Sequence, residues 1–136
     1  MRIVIDTNVL ISAIFWTGKP KQLLNHARRQ KITFVTSYQL LDELRQILIR
    51  QDKPFHLQDN EADRVVEALR GFAEVVESHS EITVCHDEMD NRVIACAIDG
   101  RAEYIITGDF HLLGLTSYKS VKIMTVSDFL SYFERS

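Results

Sequence analysis

Cysteine, proline and extended apolar stretches are scarce in this chain, and each scarcity narrows what it can be. Only Cys85 and Cys96 occur among 136 residues. They match no metal-binding spacing and both lie in apolar surroundings, so they are expected to be reduced, buried thiols. The five histidines, at 26, 56, 79, 86 and 111, show no H-E-x-x-H pairing, which argues against a zinc centre. No run approaches the roughly 20 apolar residues of a membrane helix. Arg2 and Asp6 bracket only three apolar residues, too few for a signal-peptide core. A cytoplasmic chain without a membrane partner is therefore expected. Pro20 and Pro54 are the only prolines, and no repeat or low-complexity stretch appears. The glycine-rich turn of a dinucleotide-binding fold is also missing, since Asp6-Thr7-Asn8 stands where it would be.

What is present suits one domain over residues 1–136, because 46% hydrophobic content at this length can bury a real core. The net charge of -3 conceals an asymmetry. Residues 1–53 hold nine Lys and Arg against four acids, a balance of +5, so the remainder carries -8. That split is compatible with a basic face for phosphates beside an acidic pocket for cations, and equally with an ordinary solvated surface.

Hydrophobic periodicity gives a coarse map. Arg2 to Ile5 reads as a buried strand, followed by a helix from about Asn8 to Phe15. Thr17 to Pro20 is a turn, and Pro20 suits the first turn of a second helix carrying Leu23, Leu24 and Ala27. Phe34-Val35 is a short strand, and Ser37 can cap a helix running to about Arg50. Asn60 to Val76 reads as one helix, Ile82 to Cys85 as a strand, Met89 to Asp99 as a helix. Tyr104 to Ile106 and Val121 to Met124 are strands, and Thr125 or Ser127 caps a closing helix. Strands alternating with helices predict a three-layer α/β/α sandwich on a central, mostly parallel sheet. Right-handed crossovers then put every strand's carboxyl end on one edge, where ligands bind in open α/β sheets.

Four acids stand out against this map. Asp6 closes the run Ile3-Val4-Ile5, and Asp109 follows Tyr104-Ile105-Ile106 by a Thr107-Gly108 turn. With Leu40 as origin and about 100° per residue, Glu43 falls near −60°, bordering the Leu41/Leu44/Leu48 face, whereas Asp42 points outward near 200°. Asp90 lies mid-stripe, with Val93, Ile94, Ala97 and Ile98 within roughly 80° of it. Each has a plainer reading: Glu43 as a rim residue paired with a basic side chain, Asp87 and Asp90 as helix-start acids, Asp6 and Asp109 as caps. Convergent carboxylates repel unless protons or cations neutralise them. An all-oxygen cluster suits Mg²⁺ or Mn²⁺.

These residues are the ones by which the chain resembles the PIN domain, a family of metal-dependent ribonucleases that includes the VapC-type toxins of toxin–antitoxin pairs. Ile3 to Leu10 is similar to its first motif, Leu40 to Leu44 to the second, Asp90-Asn91 with its helix to the third, and Ile105 to Asp109 with Leu112-Leu113 to the fourth. The resemblance covers nearly the whole chain. It implies that Asp6, Glu43, Asp90 and Asp109 hold one or two divalent ions, supported by Asn8 and Thr107, in an endoribonuclease leaving 5′-phosphate and 3′-hydroxyl ends. It further implies an RNA substrate, a cognate antitoxin and a homodimer or higher oligomer. Trp16, with the apolar residues near it, is a candidate contact patch. Lys19, Lys21, Arg28, Arg29 and Lys31, which this map puts near the pocket's entrance, are candidates for the RNA backbone. Met89 and His111 stand where related sequences often have further acids, so the pocket rim is expected to be less negative. The alternative is a PIN-like RNA- or protein-binding module without catalysis. A haloacid-dehalogenase-type phosphatase is disfavoured, because Asn8 stands where its second Asp is needed. A receiver domain is disfavoured by the lack of paired acids after the first strand.

Overall fold

The computed structural model describes residues 1–136. Its elements are β1 (Arg2–Ile5), α1 (Thr7–Phe15), α2 (Lys19–Arg28), β2 (Thr33–Ser37), α3 (Tyr38–Leu48), α4 (Asp59–Arg70), β3 (Glu74–Val76), α5 (Glu88–Asp99), β4 (Tyr104–Ile106), α6 (Phe110–Leu113), β5 (Ser117–Tyr118), β6 (Val121–Met124) and α7 (Val126–Arg135). The strands form one sheet in the order β3-β2-β1-β4-β6-β5. All pairings are parallel except that of the two-residue β5 with β6.

Strand alternation divides the core into two layers. Ile3, Ile5, Phe34 and Ile106 face α1, α2, α4 and α7 through Leu10, Leu23, Leu69 and Phe129. Val4, Val35, Ile105 and Ile123 face the other way, toward Val93, Ile94, Cys96 and Ala97 of α5 and Leu112 of α6. Side chains of successive strand residues point to opposite faces, so a strand covered on both sides must be apolar throughout. Residues 3–5 and 104–106 meet that condition, every one of them buried. The expected three-layer sandwich with a mostly parallel sheet is thus the architecture found.

Three local expectations give way. The helix read from Asn60 to Val76 stops at Arg70: Gly71 stands at its C-cap, and the β-branched Val75-Val76 pair with Thr36 and Ser37 instead, forming the edge strand β3. The strand expected at Ile82 to Cys85 is irregular chain. It is tethered by side chains instead of a ladder: Asn91 Oδ1 accepts from Cys85 N at 2.9 Å and Asn91 Nδ2 donates to Cys85 O at 3.0 Å. Upstream, Asp99 accepts from His79 N, Ser80 N and Ser80 Oγ. Cys96 is buried as expected, whereas Cys85 is half-buried, and both thiols are free. Of the two closing-helix caps, Thr125 is used, accepting from Asp128 N. Ser37 caps α3 by accepting from Leu40 N.

The chain builds β1, β2 and β3 outward on one side, then crosses back to lay β4 on the other side of β1. Strand order therefore reverses between β1 and β4. The carboxyl ends of that pair form the crevice in which an open α/β sheet takes its ligands.

Candidate active site

Asp6 and Asp109 flank this switch point because each follows one of the two central strands. Asp6 N donates to Ile106 O at 2.9 Å, extending the β1/β4 ladder to the carboxyl edge. Asp6 occupies the N-cap position of α1, yet its side chain accepts no cap hydrogen bond. The carboxylate takes a 2.7 Å bond from Thr107 Oγ1 instead. Thr107, fully buried, also accepts from Asp109 N at 3.0 Å, so one hydroxyl fixes both aspartates. Asp109 behaves as the capping reading expected, with Oδ2 accepting from Leu112 N at 3.2 Å.

Asp90 reaches the same place from α5. Asp87 is the N-cap, accepting from Met89 N. Asp90 is left free for the interior, with only 8% of its surface exposed. Burial, followed by the Asp109 charge and a hydrogen bond shared with the Asp109 carboxyl, pushes Asp90 up to about 6; Asp87 and Asp6 add to the repulsion. Asp6 is likewise raised, first by burial and also by Asp109, against the opposing pull of Thr107. Three carboxylates thus feel one another across the crevice, and a proton or a cation there lowers their energy.

Glu43 stands apart. Arg92, on the second turn of α5, is paired with Glu43 Oε1. Burial raises Glu43, Arg92 pulls it back, and Asp42 and Asp87 push it up again. The plainer expectation for Glu43, a rim acid with a basic partner, is the arrangement found. Its other oxygen, Oε2, is buried without a hydrogen-bond partner.

The residues expected to support the site divide in the same way. Asn8 is exposed and lines a cavity of about 360 Å³ with Val9, Ser12, Pro20, Gly108 and Asp109. Lys19 and Lys21 flank Pro20 at this cavity, and Lys19 Nζ donates to Ser127 Oγ at 3.3 Å. Arg28, Arg29 and Lys31 do not belong with them. They lie at the far end of α2, next to the start of β2, where Thr33 N bonds Met1 O and Arg28 sits over the Phe72 ring. Parallel strands put that end at the amino edge of the sheet, opposite the aspartates. An entrance position is thereby corrected for these three. His111 is exposed on α6 and shares a separate cavity with Cys85 and Asp87; Met89 is half-buried beside Asp90.

Sequence reasoning missed two contributors. Asn91 is buried in the apolar stripe beside Asp90. A second polar residue in that stripe was a usable signal. Arg92 left none, because its pairing depends on how α3 meets α5.

The donor set fits a hard divalent cation: three mutually repelling carboxylates, all oxygen. No three carboxylate, imidazole or thiol groups are already drawn together as a finished cage.

Comparison with known proteins agrees with this architecture. The chain is 29% identical over 145 residues to an uncharacterized protein of Methanocaldococcus jannaschii, covering 99% of this chain and 93% of that protein. A chain of VapBC2 from Rickettsia felis, solved bound to a DNA fragment from their promoter, superposes with a TM-score of 0.66 at 14% identity, over 92% of this chain and 98% of that one. The profile of the PIN domain, whose members are generally nucleases, matches residues 2–111, which include all four acids. The chain belongs to the PIN domain family.

Proposed function

We propose that this chain is a divalent-metal-dependent endoribonuclease, the toxin of a toxin–antitoxin pair, restrained by a cognate antitoxin and assembled as a homodimer. The observation that carries the catalytic part is the placement of Asp6 and Asp109 at the carboxyl ends of β1 and β4, both bonded to the Thr107 hydroxyl, with the buried Asp90 of α5 beside them. Asp6, Asp90 and Asp109 would hold Mg²⁺ or Mn²⁺, with Glu43 completing the set or orienting the attacking water. The chemistry such a cation would supply there is an acidified water and neutralisation of charge growing on the phosphate. Thr107 keeps the Asp6 carboxylate aimed into the crevice, and Asn91 holds the 84–87 segment against the start of α5. Arg92 fixes one Glu43 oxygen and leaves the other available. Lys19 and Lys21, beside the cavity, suit contacts to the RNA backbone. The antitoxin and the dimer rest on the family and on likeness to the VapBC2 chain.

The test is labelled RNA incubated with purified protein in Mn²⁺, in Mg²⁺ and in EDTA, with Asp6→Asn as control and the new ends identified. Scission needing metal and Asp6, with 5′-phosphate ends, supports the reading. Equal cleavage by Asp6→Asn removes it. A second reading, a binding module without catalysis, draws on the absence of a finished cage and on the capping role of Asp109. It expects RNA or partner binding indifferent to EDTA and no strand scission.

A further inference from the structure

The turns that lead into β2, β4 and β6 share a backbone feature. Gln30, Arg101 and Lys119 have φ of 62°, 55° and 51°, the left-handed region in which glycine is the usual residue. Both α2 and α5 end in a Schellman motif: Lys31 N donates to His26 O at 3.0 Å, and Ala102 N donates to Ala97 O at 2.8 Å. Lys119 opens the two-residue connection from β5 to β6. A glycine would relieve each turn, yet each carries a long polar side chain. Gln30 has a local reason, since its Nε2 donates to Phe72 O. Arg101 and Lys119 have no ion-pair partner.

Because β2, β1, β4 and β6 are parallel, these turns lie along one edge of the sheet, opposite the aspartates. Three strand spacings separate the first turn from the last, about 14 Å. Arg28, Arg29 and Lys31 stand at one end of the row, Arg101 within it and Lys119 at the other end. All five are exposed, and none is paired with a carboxylate. Two cavities meet at Arg101. One, of about 510 Å³, is lined also by Arg2 and Gly100; the other, of about 400 Å³, also by Lys119 and Ser120. The acids that border them have other partners. Glu74 is paired with Arg2, Glu103 Oε1 accepts from Arg2 N, and Asp99 accepts from His79 N and from Ser80. The dipoles of α2 and α5 favour cations where those helices end, but a hairpin has no dipole to favour Lys119, and the left-handed backbone at Arg101 disfavours any side chain. Tyr132, 5.9 Å from Tyr104 at the start of β4, is an exposed aromatic near this edge. One tyrosine is not the apolar centre of a protein interface, whereas a phosphate backbone needs only charge.

We infer that the amino edge of the sheet is a second nucleic-acid face, at which Arg101 and Lys119, with Arg28, Arg29 and Lys31, hold a phosphate backbone without metal and away from the carboxylate crevice. This face stands whether or not the crevice cleaves RNA. It is tested by fluorescence anisotropy of a labelled mixed-sequence RNA titrated with the whole chain in EDTA at increasing NaCl. Without metal the crevice carboxylates repel phosphate, which favours binding at the far edge.

Arg101→Gln and Lys119→Gln are each expected to lower the slope of log Kd against log salt by about 0.7–1, and to weaken binding alike for RNAs of different sequence. Arg101→Lys is expected to keep the slope, as is Arg64→Gln in the middle of α4. Arg101→Gly separates charge from backbone: its thermal midpoint is expected to hold or rise as the turn relaxes, while RNA binding falls as in Arg101→Gln. Absence of binding in EDTA, an unchanged slope in both Gln variants, or an equal loss in Arg64→Gln each overturns the inference. Polyglutamate that displaces the RNA as readily as unlabelled RNA does assigns the edge to acidic chains and also overturns it. Slope losses without scission in Mn²⁺ uphold this face while removing the nuclease reading, and metal-dependent scission without binding in EDTA does the reverse.

Discussion

The Thr107 hydroxyl donates to Asp6 Oδ2 at 2.7 Å across 101 residues of sequence, and the same oxygen accepts from Asp109 N at 3.0 Å. One buried side chain therefore ties the ends of the two central strands and sets the spacing of two candidate metal ligands.

We predict that Thr107→Val costs about 1.5–3 kcal/mol, the range for a buried hydrogen bond to a charged group, because the valine methyl cannot donate to Asp6 or accept from Asp109. Metal-dependent cleavage is expected to fall with it. Thr107→Ser, which keeps the hydroxyl, retains most of both. Urea unfolding and cleavage rates of the two variants provide the comparison, and equal behaviour of Val and Ser counts against the clamp.

The metal-free protein is predicted to lose stability as pH rises. Asp90 is raised from 3.8 to about 6, so the folded chain binds a proton there more tightly than the unfolded chain. That stabilisation is complete below the unfolded value and is lost as pH climbs through about 6. Urea midpoints measured in EDTA from pH 4 to 8 should decline across this window. Asp90→Asn should flatten the decline, and Mn²⁺ should raise the midpoint most at the alkaline end, where both carboxylates are charged. Asp99 on the same helix works with opposite sign. Burial pushes it up, but Ser80 and His79 outweigh this and hold it low. Its contribution is present above the ordinary carboxylate range and disappears as pH falls through its lowered value.

Arg92 is expected to matter more for activity than for stability. Its side chain is 46% exposed, whereas that of Glu43 is 12% exposed. With its arginine half in solvent, the pair contributes about 1 kcal/mol. We predict that Arg92→Gln leaves the thermal midpoint nearly unchanged while lowering the cleavage rate, because Glu43 loses the partner that fixes it. Arg92→Lys should recover part of the rate. A large fall in the midpoint with kcat preserved would assign the pair to the scaffold alone.

Gly100 closes α5 against the sheet. A Cβ there would collide with Val35 Cγ1 and lie 2.9 Å from Cys96 O, and neither can retreat, since Val35 is fully buried and the other contact is backbone. Gly100→Ala is predicted to destabilise by about 1–3 kcal/mol, the usual cost of overpacking. Gly108, with nothing near its Cβ position, is the control: Gly108→Ala should be nearly neutral in the same denaturation assay.

Periodicity and end signals made most of the scaffold legible. The all-apolar runs Ile3 to Ile5 and Tyr104 to Ile106 had to be strands covered on both faces, and Ser37 and Thr125 announced helices by the residues they could cap. The positions of Asp6, Asp90 and Asp109 followed, because a strand end and a helix-face angle are local properties. The segment from Phe72 to Cys85 was not legible. Its short apolar stretches fit a helix or a strand equally well, and pairing with β2 decided for Glu74–Val76.

By itself, then, the sequence determined an alternating α/β chain whose three aspartates stand at strand ends and on a buried helix face, since those placements depend on neighbours within a few residues. Tertiary structure alone decided the rest. It assigned Glu43 to Arg92, gave Thr107 its two partners, and left Arg28, Arg29 and Lys31 at the edge opposite the acids. The reason is physical: a hydrogen bond or an ion pair between distant segments depends on strand order and helix packing, which no local pattern encodes.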